Sequence, residues 1–244
     1  MGEVTFFRKE NLTTKFLSLY FLAAFVEIVA EYFKDVFFIS VSKPLLMPML
    51  MLTYWSASRK INHTFIIALL FVWGANLAFI SNTMNSIIVG TLFFLGYRIL
   101  IIYLVFKMLK FPGYVPMLIG AVPFLFLYIF IATITYDILG NTFILFIIQG
   151  VFTIFFGGFC LGNYFIKPNT SNTLLLISTM LFTATQFILI IKIYYSNFSI
   201  FQPIAMLLFV VGQFLLYKFL LHEEKKLKRY LIINKHVNAE LEQS

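Results

Sequence analysis

The chain has 244 residues, of which 61% are hydrophobic, 19% aromatic and only 11% charged. A soluble domain carries about 25% charged residues, so there is too little polar surface here to face water all round, and lipid must take its place. The net charge of +8 does not point to nucleic acid, because the positive residues lie in short connections and a terminal tail between apolar runs, the pattern of an anionic membrane surface.

Continuous apolar runs, near the ~20 residues a bilayer requires, predict spanning helices rather than barrel strands. In chain order they are Phe16–Phe33, Val41–Trp55, Thr64–Ile80 and Ser86–Phe106, then a run from Pro112 and Gly113 to Thr135, then Thr142–Asn163, Thr173–Tyr194 and Pro203–Leu221. The expected fold is all-α, a polytopic membrane helix bundle of about eight transmembrane helices. The second run is short and is expected to be tilted or partly interfacial. Glu27 and Glu31, with no small-residue cleavage site, mark the first run as a retained helix and not a signal peptide. Residues 1–221 read as one transmembrane domain and residues 222–244 as a charged tail.

The connections orient this bundle. Arg8, Lys9 and Lys15 precede the first helix, Arg59 and Lys60 follow the second, Lys107 and Lys110 the fourth, and Lys167 the sixth. Lys225, Lys226, Lys228, Arg229 and Lys235 follow the eighth. The alternate connections, around Asn82, Asp137 and Asn197, lack lysine and arginine; Lys34 and Lys43 make the first connection an exception. Positive charge on one side of an even number of spans predicts both termini in the cytoplasm, and a multi-pass protein of the cell membrane.

Polar groups within apolar spans are costly, so each is a candidate site residue: Glu27, Glu31, Lys43, Asn76, Arg98, Gln149, Gln186, Lys192 and Gln213. Their depths predict a polar cavity, with Glu27 answering Arg98 or Lys43. Glu31 and Lys192 are expected to snorkel to the interface. Gly158 and Gly162, four apart, are expected to pack helices within the monomer. The single cysteine, Cys160, excludes an internal disulfide, and His63, His222 and His236 lie at helix ends or in the tail. Neither a metal nor another cofactor is expected.

The segment Ser42-Lys43-Pro44-Leu45-Leu46-Met47-Pro48-Met49-Leu50 resembles the start of the second helix in the YhhN-like lysoplasmalogenase family. The likeness extends over nearly the whole chain, with eight similar spans. In the family pattern F-x-x-G-D, Phe71 and Gly74 match and Ala75 holds the aspartate position. In G-L-x-x-F-x-x-x-H, Gly90 and Phe94 match and Arg98 holds the histidine position. In F-x-x-S-D, Phe182 matches and Gln186 holds the aspartate position. A glutamine of the last helix corresponds to Gln213.

The resemblance implies a hydrolase acting on the vinyl-ether bond of lysoplasmalogens, releasing an aldehyde. That reaction protonates an enol ether and delivers water, work for a pair of carboxyl groups. Alanine and glutamine are no acids, and arginine stays protonated. The expectation is therefore a lysophospholipid-type cavity with an altered site. Lys43 and Arg98 would hold a phosphate, Asn76, Gln186 and Gln213 would complete the binding surface, and Glu27 would serve as charge partner or surviving base. Membrane lipids are the expected partners. Two alternatives stay open: a non-catalytic membrane scaffold, or a small proton-coupled transporter, whose parallel repeat would be the echo between the third and seventh helices.

Overall fold

The computed structural model describes residues 2–58, 60–81, 83–194 and 198–241. Arg59, Asn82 and Asn197 lie outside the described residues, as do the side chains of Arg8, Lys9, Asp137, Lys228, Arg229, Lys235 and His236. Among the described residues there are eight α-helices and no strand: α1 (Gly2–Phe33), α2 (Val36–Ala57), α3 (His63–Ala78), α4 (Met84–Met108), α5 (Tyr114–Leu139), α6 (Phe143–Ile166), α7 (Thr170–Tyr194) and α8 (Phe201–Leu241). A single 3-10 turn, Gly140–Thr142, joins α5 to α6. Seven of the helices are long and apolar enough to cross a membrane. The chain is a multipass membrane protein.

The short helix is α3, not α2. With 16 residues α3 is about 24 Å long, against a hydrocarbon core of about 30 Å. Helix α2 has 22 residues because it begins at Val36 and not at the expected Val41: the Asp35 carboxylate accepts from the backbone N–H of Phe37 and Phe38, at 3.0 and 3.2 Å. An aspartate placed there satisfies amides that the first helical turn leaves unpaired. Just before it, Lys34 adopts a positive φ of 57° and closes α1, so α1 and α2 form a hairpin with a two-residue turn. Helix α8 runs without a break through residue 221, where the apolar sequence gives way to the charged tail.

Two prolines inside α2 shape its packing. Pro48 has no N–H to give the carbonyl four residues back, that of Pro44. The indole Nε1–H of Trp73 donates to that carbonyl instead, at 2.9 Å, and so ties α3 to α2. The buried side of α2 consists of Ser42, Lys43, Leu46, Met47, Leu50, Thr53 and Tyr54, spaced three or four apart as one helical face requires.

Sequential helices pair most closely as α1 with α2, α3 with α4, α5 with α6 and α7 with α8. Further contacts join α2 to α3, α4 to α6, α6 to α7 and α8 to α1. Seven helices thus close a ring, and α5 stands outside it against α6 and α7. Gly120 of α5 and Gly158 and Gly162 of α6 set that last approach: a Cβ on Gly158 would lie 2.7 Å from the Met117 carbonyl oxygen. Bulky apolar residues such as Phe25, Phe126, Ile144 and Val151 point outwards, as a lipid-facing surface demands.

Candidate functional site

Short connections make successive helices antiparallel, so both termini lie at one end of the bundle. A cavity of ≈ 180 Å³ opens inside the ring towards the other end. Its wall is mostly apolar. Polar groups reach it at two levels: Lys43, Lys192, Gln202 and Thr142 near the mouth, and Gln149 and Gln186 deeper. Six or seven residues along α6 and α7 separate the levels, about 10 Å at 1.5 Å per residue. Phe94, Phe182 and Phe209 close the inner end, with ring centroids 6.1 Å apart for Phe94 and Phe209 and 6.2 Å for Phe182 and Phe209.

At the mouth, four helices meet in one polar chain. Lys43 of α2 donates to Glu31 Oε1 of α1 at 2.7 Å and stands 3.8 Å from Glu27. Gln202 of α8 donates to the same Glu31 oxygen at 3.3 Å and accepts from Lys192 of α7 at 2.7 Å. Two ammonium groups thus face two carboxylates. Glu27 is fully buried behind Lys43, and neither of its oxygens has a hydrogen-bond donor. Glu31 and Lys192, expected to reach for the interface, are also members of this chain, bound to Lys43 and Gln202.

Below the phenylalanine floor lies the second polar centre. Arg98 of α4 is 7% exposed and donates to the Gln149 carbonyl at 2.9 Å, to Gln186 Oε1 at 3.0 Å and to Thr153 Oγ1. Gln149 in turn donates to the Thr91 carbonyl at 3.1 Å. Tyr97, beside Arg98 in sequence, donates to Gln213 Oε1 at 3.2 Å.

A model of the YhhN family matches residues 38–220. The chain belongs to the YhhN family. No curated protein and no solved structure matches it. The matched span contains α3 to α7 whole and nearly all of α2, but leaves out α1, and with it Glu27 and Glu31.

Of the expected site residues, Lys43, Asn76 and Gln186 line the main cavity of this YhhN-family protein. Arg98 reaches it only through Gln186 and Gln149. Gln213 is wholly buried behind the floor, and Glu27 behind Lys43. Glu27 and Arg98 therefore belong to separate centres: Glu27 answers Lys43, and Arg98 has only neutral acceptors. Ala75 is buried with no exposure and is not part of the cavity wall, whereas its neighbour Asn76 is. Arg98 and Gln186, the two other residues at family motif positions, are direct hydrogen-bond partners. Gln202 was not among the expected residues. Its signal was its place just before Pro203, at the start of a helix whose mouth-end turn begins at Phe201.

Proposed function

We propose that this YhhN-family protein binds a single-chain amphiphile of the lysophospholipid type in the ring cavity, and that it does not cleave the vinyl-ether bond. The observation that carries the reading is the cavity itself: an apolar pocket with lysines at its mouth and aromatic rings at its inner end. An acyl or alkyl chain matches the apolar wall, since burying it removes about 0.8 kcal/mol per CH₂ of contact with water. A phosphate at the mouth would lie beside Lys43 and Lys192, which are close to the level where lipid headgroups sit.

The chemistry of the wall supports the absence of hydrolysis. Protonating an enol ether needs an acid in contact with the ligand. The residues lining the cavity offer amides, hydroxyls and two lysines, and no carboxyl, imidazole or thiol. Glu27 and Glu31 are both committed to Lys43. Positive connections at the end of the bundle that carries the termini favour a cytoplasmic placement of that end, with the cavity opening to the other leaflet.

Purified protein incubated with a lysoplasmalogen and with its saturated lysophospholipid analogue tests the reading. The expected result is saturable binding of both, weakened about tenfold or more by Lys192→Met, with no aldehyde released. Aldehyde release at an enzymatic rate would sink it, as would failure of both lipids to bind.

A further inference from the structure

The charges of the membrane interior do not cancel. Glu27 and Glu31 balance Lys43 and Lys192 at the mouth, but Arg98 has no carboxylate within ion-pair distance among the described residues. Its acceptors are the Gln149 carbonyl, the Gln186 amide oxygen and the Thr153 hydroxyl, with the phenol of Tyr128 alongside. All are neutral, since a phenol keeps its proton near pH 7. A guanidinium does not lose its charge, and an ion buried without a counter-ion is costly. At most four of its five N–H groups are taken up by these contacts, so a donor remains.

A second cavity, of ≈ 30 Å³, adjoins this group. Tyr97, Arg98, Thr153, Ser178, Thr179 and Thr183 are among the residues that line it. Space of about 10–15 Å³ holds one water-sized particle, so this cavity takes one or two and excludes a polyatomic anion. Thr179 and Thr183 donate at present to the carbonyls of Leu175 and Thr179, four residues back in their own helix, each at 2.8 Å. Those carbonyls also accept the ordinary helical N–H, so the hydroxyl protons can turn to another acceptor without orphaning a backbone group.

We propose that this small cavity is a halide site, in which one chloride ion neutralises Arg98 with the help of the Thr179 and Thr183 hydroxyls. The site is separate from the lipid cavity, with the Phe94 and Phe182 rings between them, and it does not depend on the lipid reading. Thermal unfolding of the purified protein tests it, after dialysis into gluconate and titration with chloride or bromide at constant ionic strength. The expected result is a saturable rise in unfolding temperature with either halide and none with added gluconate or sulfate. Gln186→Glu should abolish the response, because its carboxylate supplies the missing negative charge from the position of an oxygen already 3.0 Å from Arg98. Arg98→Gln should abolish it as well; if that variant does not fold, Gln186→Glu decides. Equal unfolding temperatures in chloride and gluconate would overturn the proposal, and so would a halide response that survives Gln186→Glu undiminished.

Discussion

The mouth and the floor of the cavity treat buried charge in opposite ways. At the mouth, Lys43 is 4% exposed and is held between two carboxylates, and Lys192 joins through the Gln202 amide. At the floor, Arg98 is equally buried but is held by two carbonyl oxygens and a hydroxyl. Formal charge cancels in the first centre and not in the second. The contrast indicates that Lys43 is there to be fixed by the protein, whereas Arg98 is left with attraction to spare for something the chain does not supply.

Removing each cation should therefore have unequal effects. Lys43→Met leaves two carboxylates buried within reach of one another and no ammonium between them, and should destabilise the protein by about 3–5 kcal/mol, the range for breaking a buried ion pair on one side. Arg98→Gln removes hydrogen bonds but also removes an uncompensated charge, so its cost should be smaller, about 1–3 kcal/mol. Thermal unfolding of the two variants in the same detergent and in the absence of halide measures the difference. An Arg98→Gln loss larger than that of Lys43→Met would break the comparison.

The spans were legible in the sequence, the depth of each polar residue only coarsely, and direction around the helix axis not at all: residues expected at one depth lie at two levels about 10 Å apart. The apolar runs and loop charges placed Glu27, Lys43, Arg98 and Gln186 at nearby levels, and the helices formed where those runs lie. Which of them share a face depends on the order of helices round the ring. That order puts α8 between α1 and α7, so Glu31 meets Gln202 across 171 residues of chain, and nothing in either segment alone announces it. Arg98 and Gln186 are different. Their positions in two family patterns singled them out together, and the structure makes them partners. The helix ends were misjudged at two places: Asp35 caps α2 at Val36, so Val36–Ile39 belong to the run expected to start at Val41, and α3 ends at Ala78 although Phe79 and Ile80 continue the run.

The family match sharpens the contrast further. Lys43, Lys192, Gln202, Arg98 and Gln186 all fall within residues 38–220, while the carboxylates of the mouth lie in α1, outside it. If Lys43 is fixed mainly by Glu31, at 2.7 Å, then Glu27 at 3.8 Å should matter little to folding. Its oxygens receive no hydrogen bond, so a charge there carries the full cost of leaving water and recovers it only through attraction to Lys43. Glu27→Gln keeps the shape, removes the charge and leaves the Lys43–Glu31 bond intact. The stability change should stay within about 1 kcal/mol, because the attraction lost at 3.8 Å is offset by the desolvation cost that the Glu27 charge no longer carries. Glu31→Gln, measured beside it, should cost more, because it breaks the short contact to Lys43. Equal losses in the two variants would mean that Lys43 is shared evenly and that the mouth is a three-body centre rather than a pair with a bystander.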